Sequence, residues 1–225
     1  MLYAMDSARN LTGQFLLAMP GIGDPRFDRA VIAMCAHDSD GALGIGIGAT
    51  IAGIGLHTVL EQLDIDLGVA PDVPVHFGGP VEPRRGFVLH ALDWGGQDTI
   101  EVVGHAGALW ALSGTTDVLK AIAAGRGPSR WLVALGYAGW GEGQLDGELT
   151  RHGWLNVPGD LDLLYGRHAE PRCQARFPTA RIDSRLRPTE EARARNPPEI
   201  AAPSPLPDHF ATLTTTLAMV SSPST

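Results

Sequence analysis

The chain has 225 residues, of which 44% are hydrophobic, 19% charged and only 6% aromatic, with 28 glycines. It is too apolar for a wholly disordered protein and long enough for one domain with an aliphatic core and frequent turns. The formal charge of -8 argues against broad binding to nucleic acid or anionic membrane, and two cysteines, Cys35 and Cys173, make neither a disulfide framework nor a paired metal motif.

No cluster of positive charge followed by a clean apolar run opens the chain, and the apolar run 43–56 is short and punctuated by glycine. The expectation is therefore a cytoplasmic protein. Residues 15–19 and 31–36 read as strands around the turn-rich PGIGDPRFDR, and 43–47 as a further strand weakened by Gly44 and Gly46. Apolar residues at 56, 59, 60 and 63 share one helical face. VPVHF (73–77), GFVLHAL (86–92), TIEVV (99–103) and RWLVALGY (130–137) have strand length and strand composition. Between the last two, 117–124 predicts a helix with Thr116 as its cap and Gly125 as its stop. Leu145 and Leu149 suggest a short helix with Gln144, Glu148 and Arg151 on its wetter sides. The mixture predicts an α/β or α+β fold, a single mixed-sheet sandwich domain whose strand order the sequence does not give.

Composition divides the chain near Gly166. Residues 1–165 hold 27 of the 28 glycines and all five tryptophans, with 9 Lys or Arg against 19 Asp or Glu, a net charge of -10. Residues 166–225 hold 9 of the 17 prolines and 8 basic against 6 acidic residues. We therefore expect a domain at 9–165 and a proline- and arginine-rich tail at 166–225, disordered or serving as an interaction arm, with a short helix conceivable at 210–220.

LTGQFLLAMPGIGDPRFDRAVIAMCAHDSDGALG (11–44), HFGGPVEPRRGFVLH (76–90), DVLKAIAAGRGPSRWLVALGYAGWGEGQLDGEL (117–149) and WLNVP (154–158) occur in that order. Together they resemble the AlgH/YqgE family, also designated UPF0301 and DUF179. The resemblance implies a mixed α/β domain in a bacterial cytoplasmic protein, associated by name with transcriptional regulation and lacking an agreed catalytic set. Two departures stand out. The family's asparagine-arginine-proline segment is replaced by IGIGATIAGIG (45–55), and the arginine- and proline-rich tail differs from the family's C-terminal helical region, as a frameshifted reading frame would.

Several candidate sites follow from residue type. Cys35, His37 and Asp38 form CAHD; in an uninterrupted strand, Cys35 and His37 share a side, so a cysteine-dependent hydrolase is conceivable. His37, His76, His90 and His105 lack metal-ligand spacing, and Gly44–Gly48 lacks the lysine of a phosphate loop, so neither a metal nor a cofactor is expected. The strongest constellation is a pair of glycine-rich corners: Gly78, Gly79, Pro80, Glu82, Arg84 and Arg85 in the first, Tyr137 and Trp140 in the second. They predict a recognition surface for a protein partner, with the aromatic residues as anchors. Any transcriptional role would then be indirect. Direct DNA binding is disfavoured by the acidic domain, although Arg84, Arg85, Arg126 and Arg130 could form a local patch.

Overall fold

The computed structural model describes residues 10–166 apart from Gly21, Gln97, Ala106 and His152. The expected tail and the helix at 210–220 lie outside the described residues. Ten strands form one sheet: β1 (Gln14–Ala18), β2 (Val31–His37), β3 (Gly41–Gly46), β4 (Thr50–Gly55), β5 (Pro74–Phe77), β6 (Val81–His90), β7 (Thr99–Gly104), β8 (Gly107–Ser113), β9 (Trp131–Gly141) and β10 (Trp154–Pro158). Among the described residues four α-helices accompany them, α1 (Leu56–Gln62), α2 (Thr116–Ala123), α3 (Gln144–Thr150) and α4 (Leu161–Tyr165), with one 3-10 turn at Pro25–Phe27.

The main path runs β10-β1-β2-β3-β9-β6-β8-β7, with β4 joined to β5 and β5 to β9. The long strand β9 joins the two halves. Its first part pairs antiparallel with β6, from His90 opposite Trp131 to Gly86 opposite Leu135, and parallel with β5. Its second part pairs antiparallel with β3, from Gly44 opposite Ala138 to Gly41 opposite Gly141. All pairings but that of β5 with β9 are antiparallel, so the sheet is mixed.

Alternation along the strands builds three cores. Phe15 of β1 stacks on Trp110 of β8 at 5.7 Å, although four strands lie between them in the sheet, so the sheet curls back on itself. The interior of that curl holds Phe15, Val31, Leu43, Phe87, Leu112 and Tyr137, closed by Leu164 of α4. On the outer face of β5, β6 and β9, Val75, Val88 and Val133 meet Leu60 of α1 and Leu119 of α2. On the outer face of β1, β2 and β3, Leu16, Ile32 and Ala42 meet Leu145 of α3 and Trp154 of β10.

All three helices expected from apolar spacing are present, as α1, α2 and α3. The end of α2 is closed by Gly125 at φ +69: its N–H donates to the carbonyl of Ile122 and that of Arg126 to Ala121, satisfying carbonyls the helix leaves unpaired. Its start differs from expectation. Thr115 occupies the cap position without a side-chain bond and Thr116 is already helical, so no hydroxyl closes that end. β4, β8, β10 and α4 correspond to no element expected from pattern, and β9 runs past the expected 137 to Gly141, which places Trp140 as well as Tyr137 in a buried strand.

Candidate functional site

The CAHD cluster separates. The pairing of β2 with β3 shifts register between Met34, opposite Gly44, and Ala36, opposite Leu43, so Cys35 is the extra residue of a β-bulge. A bulge reverses the alternation beyond it. Cys35 faces the interior core, whereas His37 stands opposite Ala42, whose side chain belongs to the outer core under α3. The expectation of a shared face is thus overturned. Burial also pushes the Cys35 thiol up to about 12, against a smaller opposing effect of the Trp110 indole N–H. His37 Nδ1 accepts the Leu11 N–H at 3.2 Å, and Asp38 Oδ1 accepts the backbone N–H groups of Asp40 and Gly41 in the turn to β3. These residues build structure and do not form a nucleophile with its base.

The two glycine-rich corners meet through backbone. Gly78 donates its N–H to Leu135 at 2.8 Å and accepts that of Gly46 at 2.7 Å. A Cβ on Gly78 would strike the Gly136 carbonyl oxygen, one on Gly136 the Gly79 oxygen, and one on Gly79 the Tyr137 carbonyl. Gly136 and Gly79 also have φ of +75 and +153, which side chains disfavour. Gly46 lies in β3 within the same knot, which explains the 44–48 glycine string as tight backbone packing.

This knot positions the start of β6. Between Val81, opposite Tyr137, and Gly86, opposite Leu135, β6 advances five residues while β9 advances two, so a corner is extruded at Glu82–Arg85. Glu82 has φ +44 and is not glycine, a conformation that costs roughly 1–2 kcal/mol. Two bonds hold it: the buried Tyr137 hydroxyl donates to Oε1 at 3.2 Å and Arg85 donates to Oε2 at 3.0 Å. Arg85 is only 5% exposed, with its guanidinium 5.3 Å from the Phe87 ring centroid. The corner presents Glu82, Pro83 and Arg84 to solvent.

Of the expected surface residues, Tyr137 is fully buried and Trp140 is 2% exposed, so neither is an anchor. Trp140 belongs to another constellation. Its indole N–H donates to Glu148 Oε2 at 3.0 Å, the Trp154 indole N–H donates to the same oxygen at 2.8 Å, and Gln144 donates to Oε1 at 3.2 Å. Glu148 is 3% exposed, not on a wet helix face. The arginine patch does not assemble either: Arg85 turns inward to Glu82, while Arg130 bonds Leu161 and Asp162 of α4 and lies over Tyr165.

One polar network escaped sequence reasoning. His90 Nδ1 lies 2.8 Å from the Ala91 carbonyl, which only accepts, so Nδ1 carries the proton and Nε2 accepts the Ser113 hydroxyl at 2.9 Å. Ser113 in turn bonds Thr99 at 2.9 Å, and Thr99 accepts the Gly96 N–H. Burial holds the His90 imidazole below its usual value, opposed by the Ala91 bond and the charge of Asp93. Spacing offered no signal for it, because its members are joined only by the pairing of β6 with β8 and β8 with β7. Among the described residues, no three of His, Cys, Asp and Glu group as a metal site would require, and no helix is long and apolar enough to cross a membrane.

The family model described as DUF179, AlgH-like, matches residues 15–183. The chain belongs to the AlgH-like family. A UPF0301 protein of Rhizorhabdus wittichii is 58% identical over 182 residues, covering 81% of this chain and 96% of that relative. One of Sphingopyxis alaskensis is 53% identical, covering 84% and 100%. The solution structure of the AlgH protein from Pseudomonas aeruginosa is similar at a TM-score of 0.60 and 40% identity, covering 73% of this chain and 85% of that one. A crystal structure from Corynebacterium diphtheriae, 17% identical with a TM-score of 0.58 and covering 76% and 87%, shares the fold. The AlgH-like match extends past the compositional break at Gly166, into the arginine-rich segment.

Proposed function

We propose that this AlgH-like protein is a cytoplasmic recognition module that binds another protein through the Glu82–Arg85 corner, and that any effect on transcription passes through that partner. The observation that carries this reading is the left-handed φ of Glu82, held by Tyr137 and Arg85 from inside the fold. Backbone strain at an exposed corner persists only where surrounding structure over-determines it, and such sites concentrate where a surface is used. A prepaid conformation lowers the cost of ordering the corner on binding. Pro83 and Arg84 at its tip supply a rigid apolar face beside a guanidinium.

The test compares tagged full-length chain, an Arg84→Glu variant and a variant of the exposed Arg151, Arg151→Glu, as baits in quantitative affinity mass spectrometry. The expected result is a protein partner enriched by the parent and by Arg151→Glu but lost with Arg84→Glu. Identical enrichment by all three baits would overturn the corner. Tight, base-specific binding of purified chain to one DNA duplex at physiological salt would overturn the indirect role.

A further inference from the structure

We propose that the cleft beside Trp94 is a docking slot for an arginine side chain carried on a basic segment of a partner protein, a surface separate from the Glu82 corner. Trp94 is half-buried and lines two clefts, one of about 260 Å³ and one of about 320 Å³; Lys120 and Arg126 line the second, so the slot is the first. The first also contains Asp93, Thr99 and Glu101, and no basic residue lines it among those described. Asp93 accepts the Ser129 N–H at 3.2 and 3.3 Å, and a carboxylate with about four lone-pair positions retains capacity for another donor. Glu101 is exposed on the outer face of β7, opposite Ala111.

The slot is held from beneath. The His90 ring meets Trp94 edge to face at 5.3 Å, and the chain from Gly96 through Thr99 and Ser113 to His90 ties the 92–98 loop to the sheet. The indole is thereby presented in one orientation before a ligand arrives. A guanidinium fits this chemistry better than an ammonium, because its plane stacks on indole while its N–H fork reaches carboxylates beside the ring. Leu92, 43% exposed, adds an apolar rim. The charge is complementary on the larger scale as well, since residues 1–165 carry 9 basic against 19 acidic side chains.

The test follows the assigned Trp94 indole N–H resonance of the ¹⁵N-labelled full-length chain during titration with acetylated hexa-arginine amide and, separately, hexalysine amide at low salt. We expect a saturable shift with hexa-arginine binding at least about fivefold tighter than hexalysine, and a loss of about tenfold with either Trp94→Ala or Glu101→Lys. Glu101→Lys changes an exposed residue and keeps the test valid if Trp94→Ala unfolds. Asp28→Lys, in the β1–β2 loop over a different core, is expected to bind as the parent does. Equal affinity for the two peptides, undiminished binding by Glu101→Lys, or an equal loss with Asp28→Lys would overturn the slot. A Trp94 resonance that ignores added peptide but moves as salt is raised would assign the cleft to this chain's own arginine-rich segment and overturn the partner.

Discussion

Glu148 offers the sharpest test of the packing. Its carboxylate accepts two indole N–H groups on one oxygen and the Gln144 amide on the other, at 97% burial of the residue. Truncation to alanine strands two buried donors, each costing about 1–3 kcal/mol, so Glu148→Ala is expected to cost about 3–5 kcal/mol after a small gain in helix propensity in α3. Glu148→Gln keeps one acceptor oxygen for the indoles. Its new NH2 then faces the Gln144 NH2, and Gln144 cannot reverse without surrendering the Gly141 N–H that its own oxygen accepts at 3.1 Å. The isosteric change should therefore cost about 1–2 kcal/mol. Urea unfolding followed by tryptophan fluorescence gives both values, and near-ultraviolet circular dichroism reads the edge-to-face Trp140–Trp154 pair at 6.0 Å. An alanine variant within 1 kcal/mol of the parent, or a glutamine variant as damaged as alanine, would refute the network as the source of stability.

Four further outcomes follow. Because burial lowers the His90 pKa in the folded state, its contribution to stability is complete above the ordinary value of 6.5 and is lost as pH falls through 6.5 toward the folded value; urea midpoints at pH 7.5 and 5.5 should differ more in the parent than in His90→Gln. In a Cys173→Ser background, Cys35 should react with a disulfide reagent at pH 8 at least about a thousandfold more slowly when folded than in urea, its thiol being pushed up to about 12; equal rates would show the thiol to be open. Gly79→Ala places a Cβ against the Tyr137 carbonyl at φ +153 and should cost about 2–4 kcal/mol in the same unfolding assay. Tyr137→Phe removes the hydroxyl that donates to Glu82 and should cost about 1 kcal/mol while increasing hydrogen exchange at residues 82–85.

Much of the fold was legible because most elements obey one period. Leu56, Val59 and Leu60 of α1, and Val118, Leu119 and Ile122 of α2, are buried as helical spacing requires. The cores of β2, β5, β6, β7 and β9 lie within the runs expected to be strands. What misled was glycine. GYAGWG looks like a turn because glycine supplies torsions that other residues refuse; Gly136 does so at φ +75, but inside β9, where it also lets the backbone pass against Gly79 while the strand continues to pair with β3. Pattern alone therefore exposes Tyr137 and Trp140, whereas β9 at these residues pairs with β6 and β3.

The site was less legible for a different reason. Pattern reasoning assigns a side chain to a face by counting residues, and the count fails wherever a strand carries an unpaired residue. One bulge at Cys35 is enough to send His37 to the opposite core, and three extra residues in β6 brace the expected corner from within, through Tyr137 and Arg85. Both irregularities depend on the partner strand, since a bulge is defined by what lies opposite it. Buried charge is hidden in the same way. Glu148 sits in α3 with polar neighbours Gln144 and Arg151, and the indoles of β9 and β10, together with the Gln144 amide, make its burial tolerable. The residues that shape this protein's surface are thus braced by groups remote in sequence: Tyr137 is 55 positions from Glu82, and Ser113 is 23 from His90.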